Sequence, residues 1–272
     1  MQEFCSIPPT PLQHDGSGKS TLWLAKSCRT CSLAVLKKIP RSAAAVRECR
    51  LVKAFSGHPN IVAFIDSAPA PENTHLLLLM EHCPSGHLVD YLNTRLKSRL
   101  KEQEICYILE NVCQALAVVH AANIIHRDVK AENILLSPKS KSSRSHASAD
   151  SFVFKLCDFG SATETHTPPS ITAMDIRILQ EELEACTTPE YRAPEILDLY
   201  TCAGITEKMD IWALGQGKLS ILAAKISFPP DTFPNQPFNR IIRACLRVDQ
   251  SKRPGILQIL DICTALMSGK VK

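Results

Sequence analysis

The sequence predicts an α+β fold, and three observations point there. Apolar runs of strand length crowd the first part of the chain, whereas apolar residues at helical spacing prevail after about residue 80. A length of 272 residues suffices for one large domain or for two lobes sharing a cleft. Hydrophobic residues make up 45% and charged residues 21%, a balance suited to a packed core rather than to disorder.

Taken in order, residues 1–11 carry Pro8, Pro9 and Pro11, which predict a frayed start and a poorly formed first strand. Gly16-Ser17-Gly18-Lys19-Ser20-Thr21 follows and runs into Leu22-Trp23-Leu24-Ala25. It ends like a nucleotide-binding P-loop, yet the glycine required five positions before Gly18 is Gln13. The alternative is a glycine-rich hairpin whose backbone amides close over phosphates. Ser32 to Ile39 reads as a buried strand ending in Lys37-Lys38, and Arg41 to Phe55 as a helix with Val46, Leu51 and Phe55 inward and Glu48 on the same element. Adjacent strand residues face opposite ways, so only one of the two lysines can point into a cleft.

Gly57-His58-Pro59-Asn60 is a turn, and Ile61–Ile65 and Leu76–Met80 are strand-length apolar runs. Leu88, Leu92 and Leu96 mark one helix face, and Ile105, Ile108, Leu109, Val112, Leu116 and Val119 mark a longer buried helix. Residues 137–151 hold seven serines in fifteen positions and predict a flexible insertion between two strands, Ile134–Leu136 and Phe152–Cys157. Ile256, Leu257, Ile259, Leu260, Cys263 and Leu266 make a closing helix.

The chemistry concentrates in His126-Arg127-Asp128-Val129-Lys130-Ala131-Glu132-Asn133. An aspartate, a lysine two residues on and an asparagine five residues on can project from one turn. The aspartate can orient a hydroxyl and accept its proton, the lysine can neutralise a transferring phosphate, and the asparagine can hold a metal ion. The octapeptide resembles the catalytic loop of a protein kinase, H-R-D-x-K-x-x-N. Asp158-Phe159-Gly160 then ends a strand, where a buried carboxylate is costly unless it is paired or binds a cation. Ala193-Pro194-Glu195 closes the segment that follows.

These blocks occur in kinase order from about residue 14 to 267, and several are narrower in their likeness. LLLMEHCPSGHLVDYLNTRL, CDFGSAT and TTPEYRAPEILDLY resemble the Numb-associated kinase family, with its adaptor-associated, cyclin-G-associated and fungal actin-regulating members. The resemblance implies a single kinase domain over residues 1–272: a β-rich lobe to about residue 80, a hinge at 81–83 and a helical lobe beyond. It implies a cytoplasmic Ser/Thr kinase that uses ATP and Mg²⁺ on endocytic adaptor or actin-patch proteins. Carried over by position, Asp128 is the catalytic base and Lys130 the phosphate-contacting lysine. Asn133 and Asp158 are the metal ligands, and Lys37 with Glu48 is the pair that positions ATP. Gly16 and Gly18 cover the phosphates, while Met80, Glu81 and Cys83 frame the adenine. Thr188 shapes the acceptor site. Glu195 pairs with Arg253, Asp210 holds the catalytic loop, and His126 and Phe159 are structural. Arg127 could clasp a phosphorylated residue among Ser161, Thr163, Thr165, Thr167, Ser170 and Thr172, although a solvated loop needing no modification is the simpler reading.

One departure from the family pattern concerns function. The family continues its central helix well past the D-I-W-A-L-G motif, whereas here Gly215 is followed directly by Gln216-Gly217-Lys218-Leu219. A shortened helix predicts exposed core and weaker substrate docking, so the alternative is a pseudokinase-like scaffold or truncated isoform. Other classes are disfavoured. A net charge of +4 is too weak to argue for nucleic-acid or membrane binding. No apolar run reaches bilayer-spanning length. Only Cys28 and Cys31 form a CxxC, with no second pair to complete a zinc site.

Overall fold

The computed structural model describes residues 4–6, 13–14, 20–95, 100–139, 148–164, 173–197, 199, 204–219 and 237–268. A small lobe is built on one six-stranded antiparallel sheet. Its strands are β1 (Phe4–Ser6), β2 (Gln13–His14), β3 (Thr21–Ser27), β4 (Leu33–Pro40), β5 (Phe64–Pro69) and β6 (His75–Glu81). The sheet order is β1-β3-β4-β6-β5, with β2 also paired to β3. The start of the chain therefore corrects the expectation of fraying: Phe4–Ser6 pairs with Ser27–Ala25, and Gln13–His14 pairs with Leu22–Thr21. Pro8, Pro9 and Pro11 lie outside the described residues.

Helix α1 (Ala43–Phe55) packs on this sheet. It starts where the Ser42 side chain accepts a hydrogen bond from the Ala45 amide, and it buries Ala45, Glu48, Leu51, Val52 and Phe55 on one face. Val46, expected inward, faces solvent at 53% exposure, because the buried stripe passes through its neighbour Ala45. The strand expected at Ile61–Ile65 begins instead at Phe64. Ile61 forms an isolated parallel bridge to Leu156, and a register irregularity lies between Phe64 and Asp66.

The larger lobe gathers around α3 (Glu102–Ala121), which follows the short α2 (Leu88–Thr94). Ile108, Leu109, Cys113, Ala115, Leu116 and Val119 of α3 are fully buried. Two hairpin-like pairs flank its end. Strand β7 (Ile124–Ile125) pairs with β10 (Thr163–Glu164), and β8 (Ile134–Pro138) pairs with β9 (Phe152–Leu156). The serine-rich stretch is more ordered at its borders than its composition suggests. Ser137 and Pro138 belong to β8, and a 3-10 turn at Ala149–Ser151 leads into β9. The exposed Ser148 donates its hydroxyl to the buried Glu104 carboxylate at 3.3 Å. Residues 140–147 lie outside the described residues.

Helices α4 (Ala173–Cys186), α5 (Pro194–Leu197), α6 (Lys208–Ala213), α7 (Pro237–Cys245) and α8 (Ile256–Met267) complete the lobe. Helix α6 passes into a π-helical turn at Leu214–Leu219, and residues 220–236, on which the expected shortening bears, lie outside the described residues. The inner side of the turn is covered. Leu214 is fully buried, and an added Cβ on Gly215 would lie 2.9 Å from the Cys245 Cβ of α7. Among the described residues no helix is long and apolar enough to cross a membrane. The architecture is a β-sheet lobe joined to a helical lobe, the α+β arrangement expected.

Candidate active site

The turn between β7 and β8 carries the octapeptide, and the structure shows what holds it. Asp210, fully buried on α6, accepts hydrogen bonds from the His126 amide at 2.8 Å, the Arg127 amide at 2.9 Å and His120 Nε2 at 2.9 Å. Burial works against its negative charge, but the His120 bond and the neighbouring imidazoles prevail and hold the carboxyl below its ordinary range. The fixed turn places Arg127 in the left-handed region at φ 67°. A non-glycine residue there is strained by about 1–3 kcal/mol unless its surroundings compensate. The two amide bonds to Asp210 supply that compensation.

Asp128 sits at the centre of a compact network. Its Oδ1 accepts from the Thr188 hydroxyl at 2.7 Å, and its Oδ2 lies 2.8 Å from Lys130 Nζ and 3.0 Å from Asn133 Nδ2. Lys130 Nζ also donates to the Thr188 hydroxyl at 3.0 Å. Thr188 lies 60 residues beyond Asp128, so the ordered segment before Ala193 closes onto the loop.

Across the cleft, Lys37 and not Lys38 points inward. Lys37 Nζ bonds Glu48 Oε1 at 2.7 Å and Asp158 Oδ1 at 2.8 Å, whereas Lys38 reaches outward to Glu72 at 2.6 Å. Burial alone would lower the Lys37 ammonium, but the Asp158 and Glu48 carboxylates outweigh it and keep the lysine charged. Burial pushes Glu48 up, with Lys37 opposing. The Lys37 charge draws Asp158 down to about 2, against the effect of burial. Asp158 also occupies the left-handed region, at φ 61°. The next two residues fit tightly: a Cβ on Gly160 would lie 3.2 Å from both Asp158 Oδ1 and Glu48 Oε2. Phe159 is 1% exposed, wedged between Phe55 at 5.6 Å and His126 at 5.1 Å between ring centroids.

A cavity of about 580 Å³ has Lys37, Glu48, Asp128, Lys130, Asp158 and Gly160 in its walls. Met80, Glu81 and Cys83 are not among the residues lining this cavity. The Glu81 carboxylate is engaged by the Ala63 amide and Lys155 Nζ, both at 2.7 Å, and its amide donates to the Ala63 carbonyl at 3.0 Å. Cys83 is buried, which pushes its thiol up to about 12. Gly16 and Gly18 lie outside the described residues.

The donor chemistry suits a hard divalent cation. Asp158 offers a carboxylate, and because both Asn133 side-chain bonds to Asp128 use its Nδ2, the amide oxygen is the atom left to ligate. Asn133 is bound to the Asp158 strand through the Cys157 amide at 3.0 Å. Among the described residues no group of three or more His, Cys, Asp or Glu could hold a metal alone. A cation there needs further oxygens, such as those of a polyphosphate.

Glu195 and Arg253 meet in a bidentate pair, both contacts 2.6 Å, and the Arg253 guanidinium lies 5.0 Å from the Trp212 ring. The sequence reading missed α4, a helix inside the segment between Asp158 and Ala193. Its signal is Ile176, Leu179 and Leu183, spaced three and four apart; Leu183 is fully buried in a cluster with Ile125, Ala193 and Met209.

Comparison with known proteins agrees with this geometry. The protein kinase domain family matches residues 16–262. Serine/threonine-protein kinase ppk30 of Schizosaccharomyces pombe is 41% identical over 235 residues, covering 78% of this chain and 23% of that protein. From Saccharomyces cerevisiae, serine/threonine-protein kinase AKL1 is 37% identical over 80% of this chain and 21% of its own length. Actin-regulating kinase PRK1 of the same yeast is 33% identical over 81% of this chain and 28% of its own length. The chain thus spans between 21 and 28% of the lengths of these three relatives. An actin-regulating kinase among them agrees with the narrower Numb-associated likeness, and the match along nearly the whole chain shows that it belongs to the protein kinase family.

Proposed function

We propose that this chain is an ATP-dependent serine/threonine protein kinase. One observation carries the reading: Asp128, bonded to Thr188 and Lys130, shares a cavity with the Lys37–Glu48–Asp158 cluster. Asp128 orients a substrate hydroxyl and takes its proton as the oxygen attacks the γ-phosphorus, and the bond to the ADP oxygen breaks in line. Lys130, beside Asp128, faces the charge developing on the transferring phosphoryl group. Lys37, held by Glu48, binds the upstream phosphates. Asp158 and Asn133 would hold Mg²⁺, which supplies neutralisation of phosphate charge when bound. The hinge at 81–83 frames the adenine, and Gly16 and Gly18 cover the phosphates. Thr188 limits the acceptor to a serine or threonine hydroxyl presented beside Asp128.

We extend the proposal to substrates on the strength of the relatives' names. An actin-regulating kinase among them favours actin-patch or endocytic adaptor proteins, phosphorylated in the cytoplasm at endocytic sites or cortical actin patches. The test is transfer from radiolabelled ATP to an adaptor substrate by wild type and Asp128→Asn side by side. Label in the wild-type reaction and at least about a hundredfold less in the variant supports the reading; equal labelling overturns it. The Gly215-Gln216-Gly217 departure from the family pattern carries a second reading as a catalytically weakened scaffold. That reading predicts nucleotide binding by calorimetry without transfer.

A further inference from the structure

The catalytic loop contains an arginine whose partner is a carboxylate rather than a modified residue. The Arg127 side chain is only 2% exposed, and its Nη2 donates to Glu182 Oε1 at 2.9 Å. Its Nε donates to the Ser161 carbonyl, three residues after Asp158. The guanidinium thereby joins the catalytic loop, the first turn after Asp158–Gly160 and helix α4. A buried guanidinium requires a negative partner, and here the sequence supplies it permanently.

Glu182 is well placed to act on the acceptor side of the site. It precedes Leu183, which is anchored in the apolar cluster, and the chain continues from α4 into Thr187 and Thr188. Arg192 closes this corner by donating to the Glu184 carbonyl at 2.8 Å and to the Thr187 hydroxyl at 3.0 Å. Thr188 then donates to Asp128. Two residues adjacent in sequence, Arg127 and Asp128, are therefore held by residues six apart on one ordered segment. Among the described side chains of α4, Arg177 bonds Glu181 at 3.2 Å, and Glu184 accepts from Gln180 at 3.0 Å.

We infer that Glu182 is a positioning residue that replaces an activating phosphate: its carboxylate neutralises Arg127 and sets residues 159–164 and 182–188 for transfer without phosphorylation. The inference rests on the kinase reading above, and its test separates the two. Wild-type protein treated with phosphatase keeps its kcat within about twofold. Glu182→Gln, which keeps shape and removes charge, lowers kcat about tenfold with the KM for ATP unchanged, since Lys37 and Asp158 are untouched. Arg127→Ala combined with Glu182→Gln falls no further than Arg127→Ala alone. Amide hydrogen exchange over residues 159–164 and 176–188, measured in dephosphorylated protein, reads the same contact without turnover. Faster exchange in Glu182→Gln supports the inference even if no transfer is found, a result that would sink only the kinase reading. Phosphatase treatment that cuts kcat tenfold, or exchange and kcat unaltered by Glu182→Gln, overturns it.

Discussion

The Glu195–Arg253 pair offers a measurement that connects burial to the integrity of the large lobe. Side-chain exposure is 4% for Glu195 and 0% for Arg253. Besides the two carboxylate contacts, the guanidinium donates to the carbonyls of Arg247 at 2.7 Å, Lys208 at 2.9 Å and Val248 at 3.2 Å. Glu195→Ala leaves a buried cation among neutral acceptors, a loss of about 3–5 kcal/mol. Stability of a domain this size falls by about 2–4 °C per kcal/mol, so Tm drops by about 6–20 °C. Arg253→Ala costs more, because it strips the carboxylate and leaves three carbonyls without their donor at about 1 kcal/mol each. The double variant should then lie within about 1 kcal/mol of Arg253→Ala, since the second truncation removes a charge already unpaired. Guanidinium unfolding midpoints and Tm of all four proteins check this. Additive losses in the double variant would refute the claim that the two side chains act as a buried unit.

Other expectations are as direct. Asp158→Asn should abolish transfer while the chain stays folded; transfer at the wild-type rate removes the metal role assigned to that carboxylate. Because Lys37 holds the Asp158 pKa at about 2, below its ordinary 3.8, its ionised form contributes stability above about pH 4. The wild-type advantage over Asp158→Asn in circular-dichroism titrations should shrink as the pH falls from about 4 towards 2; an advantage that grows on acidification contradicts the pairing. Ser42→Ala removes the cap of the helix bearing Glu48 and should lower stability by about 1 kcal/mol in urea unfolding. Gly215→Ala forces a methyl to within 2.9 Å of Cys245 and should cost about 1–3 kcal/mol; an unchanged midpoint would show that α7 is not packed against the helix there.

Much of the site was legible because its chemistry needs particular residue types at short spacing. Asp128, Lys130 and Asn133 lie within one turn, and the alternation of β4 admits only one of Lys37 and Lys38 to the cleft. What escaped the reading lacks such compactness. Helix α4 is announced only by the spacing of Ile176, Leu179 and Leu183 within a segment after Asp158, and the partner of Arg127 is 55 residues away. Strand β5 started three residues late because Ile61 is committed to a bridge with Leu156, a contact between lobes that no local pattern encodes. Serine content likewise misplaced the edges of the insertion, since Ser148 is tied to Glu104 on α3 by a hydrogen bond.

Helix α6 bears on function through the position of its contacts. Lys208 accepts from Arg253, Asp210 holds both amides of the catalytic loop, and Trp212 lies beneath the Arg253 guanidinium. All three precede Gly215, the point at which the sequence departs from the family pattern. The Asp210 bonds therefore keep the His126–Asp128 turn in place whatever the length of the helix beyond it. The departure that begins at Gly215 acts on the flank of the lobe that packs on α7, where an added Cβ on Gly215 would meet Cys245 and Leu246. Stability and the docking of large substrates should consequently respond to this region more than the chemistry at Asp128 does. A short peptide substrate and a folded protein substrate, compared by kcat/KM, separate the two effects: a deficit confined to the folded substrate is the result these contacts require, and an equal deficit for both would mean that the loss reaches the catalytic turn.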